Sequence, residues 1–343
     1  MAPIIDLDAY LAHAHRLKSS ESKLRTAFQE WLPDSIIDCH AHALRPEHVR
    51  EVTEFAYHHL ASTYPSFTLE QSQDLNELFH PGIRIRTLRF GGTFYGTDFK
   101  AVNEYLLAES PEDDRVALVG IPDDPDYTIS MLGHTRVSAL KMYYASCNPP
   151  TKTIFEFFPP DVLTVAEEKD IPIILHPPCI VTGCLDQFRA LINIFPRLRI
   201  VIAHLGLTKM VVPGLSEAYE ELARHDNVFM DTSMVPSGGV VRLAIDIFGC
   251  HRIMYGSDAP ISMLRSTAYQ HPTKGQRVVT DYPYHWVDPD DHAQYGRLAD
   301  EAPHAHWQAL QAIRIAVDSF PEAEQSFIKQ QVFHDNACQI FGF

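Results

Sequence analysis

The sequence is short of cysteine, of positive charge and of long apolar runs. Its six cysteines (Cys39, Cys147, Cys179, Cys184, Cys250 and Cys338) are scattered, with no C-x-x-C pair. That pattern excludes the dense framework of a small disulfide-stapled domain. No apolar run approaches the roughly 18 residues of a membrane span, so none is expected. Lys and Arg number 28 against 44 Asp and Glu, a net charge of -16. Nucleic acid and anionic membranes require a positive field, and neither is an expected partner. The first residues carry Asp6 and Asp8 and lack the basic-then-apolar order of a signal peptide. A soluble, cytoplasmic protein in a reducing setting is the expectation.

What is present is a chain of 343 residues, 45% hydrophobic, with 19 histidines. That apolar fraction excludes a disordered chain and supplies a large core. The length suits two domains of about 150 residues, or one α/β barrel of about 250 with additions. Histidine count alone decides nothing; position does.

Residues 1–35 read as a helical extension, with Leu7, Tyr10, Leu11, Leu17, Leu24, Phe28 and Leu32 at roughly helical spacing. Short apolar runs then alternate with amphipathic stretches. The runs are SIIDCH (35–40), IRIRTLRF (83–90), VALVGI (116–121), VSALKM (137–142), IPIILH (171–176), RIVIAH (199–204), NVFMDT (227–232) and RIMYGS (252–257). Near-continuous apolar character marks strands buried on both faces of a parallel sheet. Helical patterns lie between them at 160–170, 184–196 and 212–225. Eight strands alternating with helices predict a closed, distorted (β/α)8 TIM barrel over residues 36–343. Residues 262–305 break the rhythm, with six Pro or Gly and no clear period. Their aromatics and histidines (Tyr269, His271, Tyr282, Tyr284, His285, Trp286) argue against disorder. A lid over the barrel mouth after the eighth strand is the expectation.

Strong ligand residues fall at the ends of these strands. The first ends in Asp38-Cys39-His40-Ala41-His42, the fifth in His176, the sixth in His204 and the eighth in Asp258. Residues two apart on a strand share a face, so His40 and His42 can offer both imidazoles to one metal. Strand C-termini meet at one rim of a barrel, so four His and one Asp converge there. Zinc, with nitrogen and oxygen ligands and an open position for water, suits such a set. Asp38 either caps a strand end or orients a ligand histidine, and Cys39 points away into the core. His304 and His306 repeat the spacing at a helix start, where residues two apart diverge by about 200°; they are discounted.

IIDCHAH, LKMYY, IPIILHPP, IVIAHLG, NVFMDTS, IMYGSDAP and FHDNACQIFGF, in that order over residues 36–343, resemble the amidohydrolase superfamily. The similarity is to the amidohydrolase-related branch that includes aminocarboxymuconate-semialdehyde decarboxylase, resorcylate decarboxylase and several lactonases. The resemblance implies a distorted barrel with one divalent metal on His40, His42, His176 and Asp258. It places His204 beside the metal-activated water and the substrate. Lys141, ending the fourth strand, is either a carboxylated bridge between two metals or a cation that neutralises a substrate carboxylate. One ion is favoured, zinc before manganese. A homodimer is plausible because relatives often pair.

The leading expectation is a metal-dependent hydrolase that acts on a small carboxylated or cyclic substrate. Asp258 serves as general base and His204 stabilises the carbonyl oxygen. The alternative is non-oxidative decarboxylation on the same residues. Arg84, Arg86, Arg89, Arg45, Lys141 and Arg265 are the cations available to grip a carboxylate, with Arg84 and Arg86 favoured because they share a face. Tyr143, Tyr144, Pro177 and Pro178 shape the pocket wall or merely terminate strands.

Overall fold

The computed structural model describes residues 17–50, 52, 67–282, 284 and 287–343. Eight parallel strands form one sheet in sequence order: β1 (Ser35–His42), β2 (Arg84–Phe90), β3 (Arg115–Val119), β4 (Val137–Met142), β5 (Ile173–Leu175), β6 (Ile200–Ile202), β7 (Val228–Asp231) and β8 (Ile253–Met254). The ring closes between β1 and the segment after β8. Cys39 N–H donates to Tyr255 O (3.0 Å), Asp258 N–H to His40 O (2.7 Å) and His42 N–H to Ala259 O (2.8 Å). The result is the expected (β/α)8 barrel.

Alternation along each strand sorts its side chains into two layers. Ile37, Cys39, Leu88, Phe90, Ala117, Val119, Ala139, Ile174, Val201 and Met254 fill the lumen. Ile36, Val116, Leu118, Leu140, Ile173, Leu175, Ile200, Ile202, Val228 and Ile253 pack outward against the helices. Ala337, Ile340 and Phe341 of the C-terminal helix Asn336–Phe341 join the luminal cluster. They sit near the strand starts, where Arg115 donates to Gly342 O and Arg199 to Ile340 O. The opposite end, where the strands finish, is left for the site.

Strict alternation in β1 would send His40 and His42 to the face opposite Ile37 and Cys39. The β1–β2 register shifts between Asp38 and Ala41, and this irregularity turns the strand end. His40 thereby faces Asp231 and Asp258 across the mouth. Asp38 fixes the turn: its Oδ1 accepts the N–H of His40 (3.1 Å) and of Ser257 (2.8 Å). Of its two expected roles it fills a backbone one, tying β1 to the chain after β8. Burial pushes its carboxyl up to about 6.

In the N-terminal segment the helix runs Ser19–Gln29; Leu7, Tyr10 and Leu11 lie outside the described residues. Residues 262–305 differ from a structureless loop. They contain an antiparallel hairpin, β9 (Ser266–His271) with β10 (Gly275–Thr280), and a helix Pro289–Tyr295. No helix among the described residues is long and apolar enough to cross a membrane.

The N-terminal helix is clasped to the base of this insertion by a buried charge network. Glu21 accepts from both terminal nitrogens of Arg265 and from the backbone N–H of His304 (2.8 Å each), and His304 Nδ1 lies 2.6 Å from the same carboxylate. Burial alone would raise the Glu21 carboxyl; bonds from His304 and Arg265 outweigh it and hold the group well below the usual carboxylate range. Stability from a depressed carboxylate is present above its ordinary pKa and is lost as pH falls through the lower folded value. The clasp therefore survives mild acid. Glu21→Ala strands the buried Arg265 charge and is expected to cost about 3–5 kcal/mol. Urea unfolding checks this, with the exposed Lys23→Ala as the unchanged control; equal midpoints for the two variants would show that the network carries no stability.

Candidate metal centre

The strand ends surround a cavity of about 340 Å³, the size of a small-molecule site. His40, His42, Lys141, His176, His204 and Asp258 all line it, whereas Asp38 lies outside it. The rest of its wall is largely apolar: Leu44, Phe94, Tyr143, Tyr144, Leu207, Met234, Val235, Pro260, Ile261 and Tyr284. Tyr143 and Tyr144 are thus pocket residues. Tyr143 sets its ring edge-on to His176 at 4.5 Å and donates its hydroxyl to Tyr144 at 3.0 Å.

The four histidines share one arrangement. Nδ1 of His40 meets Asp231 Oδ2 (2.8 Å), that of His42 meets Gly91 O (2.8 Å), that of His176 meets Pro177 O (2.9 Å) and that of His204 meets Ser233 O (3.0 Å). Carbonyls and carboxylates only accept, so each Nδ1 carries the hydrogen and each Nε2 keeps its lone pair. Burial pushes His40 down to about 4 and His176 well below the ordinary value, which keeps both imidazoles neutral.

Asp258 completes the set. His40, His204 and Asp258 offer donor atoms that lie within 4.8 Å of one another. Asp258 Oδ1 stands 3.3 Å from His42 Nε2 and 3.5 Å from His40 Nε2, is buried, and receives no hydrogen bond. The His176 ring centre lies 4.9 Å from that of His204. Lone pairs aimed at a buried carboxylate oxygen are costly unless a cation lies between them. The residues present therefore fit a divalent ion. His204 belongs to the tightest donor trio, closer in than its expected place beside the substrate alone.

Backbone strain concentrates here. His204, Leu205, Leu207, Met234 and Asp258 all have φ between 45° and 61°, a region that bulky residues avoid. Gly206 lies among them at φ 72°, and a Cβ there would come within 2.7 Å of Val181. A left-handed turn thus carries His204 off the end of β6.

The favoured arginines do not reach the cavity. Arg84 is exposed at the start of β2 and pairs with Asp113 at 2.9 Å. Arg86 bonds His334 Nε2 at 2.8 Å beneath the barrel. Both enter at the strand's first residues, a barrel length from the mouth, so their expected part in binding substrate is corrected. Arg89 is held by Asp114 and Ser72, Arg45 by Glu109 and Arg265 by Glu21. Among the described residues no arginine lines the cavity; Lys141 and Lys209 do. Lys141 is buried, its ammonium 5.0 Å from the Phe90 ring centre, and burial lowers its pKa to about 8.

Of the insertion's aromatics and histidines, Tyr284 lines the cavity. Tyr269 stacks on Tyr295 at 4.6 Å, and His271 Nδ1 accepts two backbone N–H groups of its own turn. His285 and Trp286 lie outside the described residues. Sequence reasoning missed Lys209, Asp231 and Ser233. The signal for Asp231 was available: it ends β7 as Asp258 follows β8.

A family model for amidohydrolases (Amidohydro_2) matches residues 37–343. The chain belongs to the amidohydrolase family. Members of this family typically use a divalent metal, and the His40, His204 and Asp258 trio supplies donors for one. Solved structures agree in fold. Amidohydrolase 2 from Bifidobacterium longum subsp. infantis is 14% identical, with 90% of this chain and 99% of that chain covered and a TM-score of 0.55. The 5-carboxyvanillate decarboxylase of Sphingomonas paucimobilis is 14% identical over 91% of this chain and 100% of that one, TM-score 0.54. A Pseudomonas putida protein provisionally named a 2-pyrone-4,6-dicarboxylic acid hydrolase is 16% identical over 91% and 98%, TM-score 0.56. No curated protein matches the chain. Amidohydrolases are enzymes, and both hydrolases and decarboxylases occur among these neighbours.

If the convergent donors hold an ion, His40→Ala should cut retained divalent metal to below about one tenth, in line with loss of a ligand and its orienting partner. Arg86→Ala, at the far end, should retain it in full. Elemental mass spectrometry of the two purified proteins measures this; equal metal contents would remove His40 from the site.

Proposed function

We propose that this amidohydrolase is a metal-dependent hydrolase that cleaves an amide, lactone or ester bond in a small carboxylated or cyclic substrate. The observation that carries the reading is the convergence of His40, His204 and an unpartnered Asp258 oxygen on one cavity wall, which His42 and His176 also line. His40, His42, His176 and Asp258 would hold one divalent ion, zinc for its match to nitrogen and oxygen donors. Such an ion supplies a water of lowered pKa and polarises a carbonyl.

The chain's own residues do the rest. Asp258 accepts the water proton and returns it to the leaving nitrogen or oxygen. His204, with a proton added at Nε2, holds the carbonyl oxygen as negative charge develops there. The apolar, aromatic wall takes a planar body and excludes water, and Lys141 and Lys209 are the cations placed to neutralise a substrate carboxylate.

Decarboxylation is the second reading, supported by the carboxylate-pairing lysines and by decarboxylases among the structural neighbours. There the bond from ring carbon to carboxylate breaks, its electron pair stays on carbon, and Asp258 or His204, having first taken a proton from solvent, delivers it to that carbon. The two reactions differ in product. Hydrolysis of a lactone or ester releases acid and lowers pH; decarboxylation releases carbon dioxide.

A panel of aromatic lactones and hydroxybenzoates, followed by pH indicator and by carbon dioxide trapping, separates them. Acid release without carbon dioxide is expected. Asp258→Asn should lower turnover about 10²–10⁴-fold, the range for loss of a general acid–base group, while most of the metal stays bound. Near-normal activity in that variant would remove Asp258 from proton transfer. Wild type should carry one ion per chain, and two tightly held ions would make Lys141 a bridge instead of a substrate cation.

A further inference from the structure

Behind the histidines at the mouth, a single carboxylate is shared. Asp231 Oδ2 accepts Nδ1–H of His40 at 2.8 Å. Its Oδ1 accepts the backbone N–H groups of His204 and Ser233, each at 3.0 Å, and the hydroxyl of Ser233. Asp231 and Ser233 are fully buried.

Both oxygens of Asp231 already accept N–H groups, so the direction of the next bond is set: the serine hydroxyl donates to it. The Ser233 proton points at Asp231, which leaves only lone pairs on Ser233 Oγ for His204 Nδ1, 2.9 Å away. Ser233 O lies 3.0 Å from the same nitrogen. Two acceptors on one residue thus grip one imidazole N–H, and one of them is backed by a carboxylate. Space for this comes from Gly256: a Cβ there would lie 2.7 Å from His40 Cβ and 3.2 Å from Ser233 Cβ.

We propose that Ser233 is a positioning residue that pins the hydrogen of His204 on Nδ1 and aims its Nε2 at the reacting atoms. It thereby lets one carboxylate, Asp231, orient both His40 and His204. The proposal deepens the functional reading above, because it rests on His204 facing the substrate or its ion. Asp231 serves His40 directly and His204 through its backbone N–H and the Ser233 hydroxyl. Removing the serine hydroxyl loosens chiefly His204, whose Nδ1 it meets at 2.9 Å against 3.4 Å for that of His40; altering the carboxylate loosens both.

The test uses the full chain labelled with ¹⁵N-histidine, zinc-loaded and zinc-free, and reads imidazole tautomers by long-range ¹H–¹⁵N correlation. Loss of signals in His204→Gln and His40→Gln assigns the two rings. Wild type should show His204 as a single Nδ1–H tautomer with a slowly exchanging ring proton in both forms. Ser233→Ala should broaden or lose that proton signal, perturb His40 far less because Asp231 still holds it, and keep zinc affinity within about twofold. Ser233→Cys, similar in size with a weaker acceptor, should fall between. Asp231→Asn should perturb both rings and weaken zinc about 10–100-fold, as loss of a ligand's orienting partner does.

An unchanged His204 signal in Ser233→Ala overturns the proposal. So does a zinc loss in Ser233→Ala as large as in Asp231→Asn, which would make the serine a support of the ion alone. A wild-type chain that binds no zinc defeats the functional reading instead, and the zinc-free tautomer comparison still decides the role of Ser233.

Discussion

Each of four imidazoles can present Nε2 to the cavity only if its Nδ1 has an acceptor behind it. That requirement organises the mouth of this barrel. The acceptors come from four different places: the chain after β2, the residue following His176, the end of β7 and the residue two beyond it. Two are carbonyls that β-strand pairing has left unused, one is a carboxylate and one is a carbonyl in a turn that the same carboxylate holds shut. The strained backbone at His204, Met234 and Asp258 follows from the same demand. Side chains that must point inward from the tips of strands cannot all do so from extended backbone.

Charge is distributed by depth in a way that composition conceals. The chain is strongly acidic, yet its arginines are spent on buried or surface partners away from the cavity. Lys141 is buried at the cavity, and the exposed Lys209 also lines it. An ammonium group on a flexible stem adapts to a carboxylate in many poses, whereas a guanidinium imposes a planar fork. A lysine-lined, aromatic-walled cavity favours recognition by charge and shape over fixed bidentate geometry. The buried Glu21–Arg265 pair does different work, anchoring the N-terminal helix to the start of the insertion.

The barrel and the convergence of its strand-end histidines were legible because both follow from local periodicity. The reason His40 and His42 point inward was not. Alternation alone makes them share a face with each other but not with Ile37 and Cys39, and it is a register shift that lets both sets be interior at different heights. Arg84 and Arg86 misled because periodicity reports a residue's face and not its height. Their partners, Asp113 and His334, lie 29 and 248 positions away. Asp231 carried the same strand-end signal as Asp258 and was passed over. Lys209 stands in a turn with no period at all. The hairpin within residues 262–305 was masked by short strands without an apolar face, so polarity there read as loop.

The seam that closes the ring joins residues at opposite ends of the barrel sequence: Asp38 and Ser257 are 219 positions apart. Every other strand pairs with its neighbour in sequence. Closure entropy grows only slowly with loop length, but contacts this distant still arrive after local ones. Any form of the chain with an open seam has His40 and His42 on one edge and Asp258 on the other. The donor set therefore exists only in the completed ring, and an ion bound there binds the shut barrel and not its open precursors. By linkage, the ligand would weight the balance between those forms toward closure, acting as a latch on the fold as well as an agent of its chemistry.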